Sequence, residues 1–304
     1  MATSSVGAAL LVSVLLPIAA ARGQDLEPRQ YSDVPVGLNF LVAAYADSDG
    51  SVLVDPAIQL DNANVTVKGP AFGYARSLAF GDLLAKLDAA AAHVCVSGSA
   101  VYRGERVTRD VCGLTDARVR LGVNFLGAKA VRPDRFVGGR EGLVVGASLQ
   151  LGVPIGDYDS TKLVNIGTNR WSAKTELGVA KTIRLWSVEL ALAATLYEDN
   201  DEFYGGSTRG QDPLYSLQAH VVRVLPSGIW VAVDTVHYRG GRTIVDGVAN
   251  RDLQSNSRLG LTVSMPVNGR QSVKLNLSRG VATRTGSDFD TLGVAWQYRW
   301  GRGF

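Results

Sequence analysis

Residues 290–304 constrain the fold more than any other stretch of the chain. Leu292, Val294, Trp296, Tyr298, Trp300, Arg302 and Phe304 fall on one face of an alternating pattern, and Thr291, Gly293, Ala295, Gln297, Arg299, Gly301 and Gly303 on the other. Successive side chains of a strand point to opposite faces, so this is a strand with one aromatic face and one small or polar face. A soluble sheet would leave three large aromatics exposed at its last edge, an invitation to aggregation. A closed barrel in a bilayer removes the edge: lipid covers the oily face and water the other.

The same period-two pattern recurs along the chain. It predicts strands over 36–46, 65–77, 84–95, 115–126, 143–155, 171–182, 185–198, 214–225, 229–238, 255–265, 272–279 and 290–300, separated by Gly, Asp, Asn and Pro clusters. The expected fold class is all-β: a transmembrane antiparallel up-and-down β-barrel of about 12 strands, with ten to fourteen compatible with the pattern. Long connections (47–64, 96–114, 156–170, 199–213, 239–254) alternate with short ones (78–83, 183–184, 226–228, 266–271), as extracellular loops alternate with periplasmic turns in such barrels. The connection 127–142 breaks this rule, being too long for a turn. It is expected to be either a plug-like insertion or a missed strand pair. Pro70, inside 65–77, is expected to mark a bulge or an edge.

One face of the clearest strands collects the charges. Arg118, Arg120, Lys174, Glu176, Glu189, Asp234, Arg258, Lys274 and Arg299 share their faces with Gly, Ala, Ser and Asn, opposite rows of Leu and Val. A Lys or Arg facing lipid near the midplane costs about 2–4 kcal/mol, so these side chains are expected to point inward. As a pore lining they would form an electrostatic filter with more cations than anions, mildly favouring anions. Paired across strands, they would fill the lumen instead.

Residues 1–23 read as a cleaved secretory signal: 6–21 is apolar or small apart from Ser13, with cleavage after Ala21 or Gly23. A membrane anchor is the alternative. Residues 24–35 are then a short periplasmic segment and 36–304 the barrel. No later stretch approaches the 18 or so apolar residues of a spanning helix, so hydropathy alone would read the chain as soluble, a test that barrels routinely defeat. A net charge of +3 without a basic run argues against nucleic acid. In an oxidising compartment Cys95 and Cys112 read as a disulfide, with two unpaired thiols as the alternative. The terminal Phe304, with Trp296, Tyr298 and Trp300 at alternate positions before it, resembles the assembly signal read by the barrel-assembly machinery of bacterial outer membranes. Both termini are then expected in the periplasm.

Several residues invite specific chemistry. Asp199, Asn200, Asp201 and Glu202, with Asp157 and Asp159, could bind Ca²⁺ or bridge to lipopolysaccharide, although solvated loops explain them as well and no EF-hand spacing is present. Phe203 and Tyr204 could meet an incoming apolar solute or belong to an interface girdle. His93, His220 and His237 are the available neutral-pH bases. His220 shares a face with Ser216 and Gln218, so a Ser–His pair is conceivable, but the sequence identifies no acidic orienter and no G-x-S-x-G elbow. The reading is therefore not an enzyme, with no cofactor and no metal; an outer-membrane hydrolase using His220 is the least favoured alternative.

The runs 158–171 (YDSTKLVNIGTNRW) and 211–220 (QDPLYSLQAH), the segments 240–243 (GGRT) and 254–258 (QSNSR), and 288–291 (DFDT) resemble the bacterial outer-membrane family labelled "putative MetA-pathway of phenol degradation". The resemblance covers essentially the whole mature chain. It implies an outer-membrane barrel that takes up or handles aromatic or hydrophobic compounds, and it brings no catalytic residues. The expected function is a channel for passive uptake of small molecules through a charged lumen, with outer-membrane lipid and lipopolysaccharide as surroundings. The alternative is a structural or sensing barrel with a filled lumen.

Overall fold

The alternating pattern closes on itself. The computed structural model describes residues 26–301 except 54–59, 103 and 137–140, so the leader and Phe304 lie outside the described residues. The strands, in chain order, are β1 (Leu38–Leu53), β2 (Leu60–Phe80), β3 (Leu83–Tyr102), β4 (Glu105–Leu114), β5 (Ala117–Lys129), β6 (Gly142–Val153), β7 (Ser172–Ile183), β8 (Trp186–Tyr197), β9 (Asn200–Phe203), β10 (Ser207–Gln211), β11 (Leu214–Val224), β12 (Trp230–Gly240), β13 (Thr243–Val245), β14 (Val248–Ala249), β15 (Gln254–Pro266), β16 (Gln271–Ala282) and β17 (Gly286–Gly301). The wall runs β2-β1-β17-β16-β15-β12-β11-β8-β7-β6-β5-β3, and β2–β3 pairing closes it. β4 and β5 pair with successive halves of β3 on either side of a break at 115–116, so together they fill one wall position. The result is a closed antiparallel barrel of twelve wall strands.

First and last strands meet along their whole length, from Leu38 opposite Gly301 to Leu53 opposite Gly286. Their outer ends share one end of the barrel with the tight turns 81–82, 184–185, 225–229 and 267–270. Long connections gather at the other end, where β9, β10, β13 and β14 form a separate four-stranded sheet.

The outward face is a hydrocarbon belt. Leu41, Phe72, Leu121, Leu149, Leu177, Leu190, Leu217, Val233, Leu261, Leu277 and Val294 are all exposed. On β2 the exposed Lys68 and Arg76 bracket Pro70, Phe72 and Tyr74. Eight residues of strand rise about 26 Å, close to the height of the apolar band of an outer-membrane barrel. Among the described residues no helix is long and apolar enough to cross a membrane; strands make the crossing. Trp296, Tyr298 and Trp300 continue the belt, stacked at 6.1 and 5.7 Å between ring centroids.

Three expectations need correction. Much of 47–64 and 96–114 is strand, not loop: β1, β2, β3 and β4 continue as hairpins past the belt. Their outer faces turn polar there (Asp47, Asp49, Lys68, Ser97), which erases the hydrophobic alternation while the hydrogen-bond ladder goes on. Cys95 and Cys112 sit directly opposite each other in this hairpin and form a disulfide. The connection 127–142 holds neither a plug nor a strand pair among its described residues. It makes one short 3₁₀ turn, Pro133–Arg135, and is tied down by Ala130 N–H to Asp82 O and Val36 N–H to Val131 O. Pro70 is neither at an edge nor at a register shift: its pairing with β1 is unbroken, and only the ladder toward β3 skips Gly69 and Pro70. The missing proline N–H is on the β3 side.

A fourth difference concerns the N-terminal segment, expected as a short periplasmic stretch. Residues 26–35 lie inside the barrel, with Leu26, Glu27, Tyr31 and Val34 buried. Leu26 packs with Leu214, Val236 and Tyr238, and Val34 joins the apolar lining of β1–β3 (Phe40, Val42, Ala71, Ala75, Val94). The segment fits there because its apolar side chains and its charges each meet a matching inward-facing group.

Candidate functional site

The lumen is where the chain's charges meet. Arg118 and Arg120, two apart on β5 and so on one face, both reach Glu27: Arg118 Nη1 lies 3.0 Å from Oε1, and Arg120 Nη1 donates a short hydrogen bond to Oε2. Arg120 Nε donates at 2.9 Å to Asp88 on β3. Two residues on, the backbone N–H of Arg29 donates to Glu189 Oε2 at 2.6 Å. The Arg29 guanidinium lies 5.5 Å from the centroid of Trp230, whose ring also faces the Lys274 ammonium at 5.7 Å. Tyr31 OH donates to Glu176 at 2.9 Å, and Glu176 pairs with Lys174 at 3.1 Å and accepts from Gln218. Lys86 donates to the carbonyls of Gln30 and Ser32, and Asn124 to that of Tyr31. Hydrogen bonds from β3, β5, β7 and β8, with the ring of Trp230 on β12, thus grip a short segment that is not part of the wall.

Glycine makes the room. Tyr31 lies across Gly146 and Gly178, inward on neighbouring strands β6 and β7. A methyl group at Gly178 would overlap the ring, and one at Gly146 would sit 2.5 Å from it. Leu26 occupies the corresponding hollow at Gly260, where a methyl would come within 2.6 Å. Gly178→Ala is therefore expected to displace Tyr31 and destabilise the folded barrel in lipid vesicles by about 1–3 kcal/mol, measured by urea titration. An unchanged titration would mean that Tyr31 is not held there.

All nine charges expected inside are buried or nearly so. Arg118, Arg120, Lys174, Glu176, Glu189 and Lys274 surround the N-terminal segment. Asp234 is set apart in a row across the wall, 2.8 Å from His220 Nδ1 and accepting from Thr262 at 2.7 Å. Arg258 donates to Phe289 O at 2.8 Å near the loop end. Arg299 donates to Gly269 O at 2.9 Å and closes the tight turn 267–270. Asp234 is the acidic partner of His220 that the sequence did not disclose; the register of β11 against β12 supplies it. Ser216 is no nucleophile for His220, because four residues along a strand separate them by about 13 Å.

The loop residues have local duties. Asp157 accepts from Leu114 N–H and Asn200 bridges Tyr158, Thr168 and Glu202. Hydrogen bonds from the Thr161 hydroxyl and N–H hold the Asp159 carboxyl below the usual carboxylate range, and the Thr208 N–H does the same for Asp246. Arg170 spans from Gln211 to the face of Tyr197, and Gln211 continues to Gly241 O, so residues of the 158–171, 211–220 and 240–243 motifs lace the loops together. Phe203, under the Arg209 guanidinium at 5.2 Å, and the exposed Tyr204 lie at the β9–β10 tip. Glu27, Arg29, Tyr31, Lys86, Asp88 and Trp230 are site residues that sequence reasoning missed. For Lys86 and Asp88 the period-two signal was present but hidden by the Ala-rich run around it; Glu27 to Tyr31 has no strand period at all.

Fold and site together define a transmembrane β-barrel whose interior is occupied by its own N-terminal segment. The sequence matches, over residues 48–298, the family described as "Putative MetA-pathway of phenol degradation", and the chain belongs to that family. No curated protein matches it. The fold is similar to that of the COG4313 outer membrane channel from Pseudomonas putida F1, with a TM-score of 0.77 at 20% identity, covering 91% of this chain and 100% of that one. The transport unit of the autotransporter AIDA-I from Escherichia coli is similar at a TM-score of 0.52 and 8% identity, covering 86% of this chain and 89% of that one.

Proposed function

We propose that the protein is a gated outer-membrane channel for passive passage of small solutes, and that residues 26–35 are its gate. The observation that carries this reading is the attachment of the segment. It joins β1 near Leu38, and among the described residues it is held farther into the lumen by side-chain contacts that can be exchanged. Both ends of the wall, at Leu38 and Gly301, are periplasmic in this reading, the long loops face outward among lipopolysaccharide, and the aromatic face of β17 is what the barrel-assembly machinery reads.

With the segment withdrawn, the wall presents Lys86, Arg118, Arg120, Lys174, Arg258, Lys274 and Arg299 against Asp88, Glu176, Glu189 and Asp234. Cations exceed anions, so the open lumen is mildly anion-selective. The test is single-channel recording of refolded mature protein with reversal potentials in a salt gradient. Discrete steps with a reversal potential on the anion side support the reading, and cation selectivity or permanent silence under every solute tried contradicts it.

Aromatic solutes are the finer part of the proposal, with Phe203 and Tyr204 as first contact at the loop end. Replacing both by Ala is expected to lower uptake of an aromatic solute several-fold while sparing a sugar, measured by liposome swelling. Equal uptake of both solutes before and after removes the loop from the mechanism.

A further inference from the structure

Glu27 does inside this barrel what a solute's carboxylate would do. Arg118 and Arg120 project from alternate positions of β5, so their guanidiniums stand side by side on the inner face, each taking one oxygen of the same carboxylate. Arg–carboxylate recognition is strong and directional when two parallel donors meet two acceptors. Asp88 neutralises part of this cluster through Arg120. Once Glu27 leaves, the two guanidiniums give up the two oxygens that they share in the closed state. A solute carboxylate presents the same pair of acceptors to the same two donors. Beside it, withdrawal of Arg29 uncovers one face of Trp230, a flat apolar plate with Lys274 against it.

We propose that Arg118 and Arg120 form a carboxylate-binding site of the channel, that Glu27 fills it as a tethered substitute for the solute, and that a free organic carboxylate opens the channel by taking Glu27's place. This rests on the reading of residues 26–35 as the gate. A ligand shifts a two-state equilibrium only through its different affinity for the two states, and here the difference is complete: the site accepts a free carboxylate only when Glu27 is out. The tether gives Glu27 an effective concentration of about the millimolar range, so the competing solute acts at millimolar levels or above.

The test compares benzoate with benzyl alcohol, a neutral ring of similar size, each at about 10 mM against that tethered competitor, on the full mature chain in planar bilayers of fixed salt. Benzoate is expected to raise the open probability about tenfold, the benzyl alcohol control to leave it unchanged, and Glu27→Gln to open the channel without ligand and to flatten the benzoate response. Replacing both arginines, Arg118→Gln with Arg120→Gln, is expected to abolish that response. Equal action of benzoate and benzyl alcohol, with Glu27→Gln still opening the channel, overturns the carboxylate site and leaves the gate standing. A Glu27→Gln channel that behaves as the parent overturns the gate, and the carboxylate site with it.

Discussion

Deleting residues 26–33 is expected to turn a mostly closed barrel into a steadily conducting one. The deletion leaves Val34, Val36 and the hydrogen bonds that anchor the start of β1 in place, so the wall still folds. What it removes is the Glu27 link to Arg118 and Arg120, the Arg29 link to Glu189, and the packing of Tyr31 over its glycines. Losing the charge of a buried, hydrogen-bonded pair shifts an equilibrium by about 3 kcal/mol. For Glu27→Gln alone this implies about a hundredfold change in the closed-to-open ratio, and more for the deletion. Single-channel open time in planar bilayers measures it. Heat-modifiable migration of the same samples separates an opened barrel from an unfolded one. A folded deletion variant with parental open time contradicts the assignment.

A charge on the belt is the second large effect. Leu190 is exposed in the middle of β8, with Leu192 and Val188 on the same face. Leu190→Arg is expected to destabilise the barrel in lipid vesicles by about 2–4 kcal/mol, because the guanidinium meets hydrocarbon. Ser97→Arg, also outward but on the hairpin beyond the belt, is expected to cost no more than about 1 kcal/mol. Urea titration of both variants in vesicles compares them directly. Equal costs would mean that the belt does not end where β3 leaves it.

Much of this was legible in the sequence, for a physical reason. Wherever one face meets lipid and the other water, the alternation is enforced at every second residue, and a one-residue slip would expose a charge to hydrocarbon. Strands such as β15, β16 and β17 therefore announced themselves, and so did the inward direction of Arg118, Glu189, Asp234 and Lys274. The hairpins past the belt lost the signal because both of their faces are wet or packed on protein, although the backbone ladder is unchanged. The disulfide was suggested by count and compartment alone, and register then placed Cys95 opposite Cys112.

The gate was not legible. A segment seated within a lumen has neither a lipid face nor a ladder, so no periodicity marks it, and Glu27 through Tyr31 looked like any polar lead into a first strand. Its partners were visible as inward charges, but which of them would meet the chain's own N-terminus depends on the closure of the barrel. Likewise the pairing of His220 with Asp234 follows from the register of β11 and β12, which the turn 225–229 sets and the hydrophobic pattern alone does not.

The central claim is that residues 26–35 occupy the lumen and must leave it for solutes to pass. The most direct measurement locks them in. In a background with Cys95→Ser and Cys112→Ser, a Leu26→Cys, Gly260→Cys pair places two thiols where the Leu26 side chain now fills the hollow at Gly260. Oxidation in the bilayer is expected to join them, suppress current even with millimolar benzoate present, and give back that current on reduction. Failure to cross-link in a folded barrel, or current unaffected by the cross-link, would contradict the account.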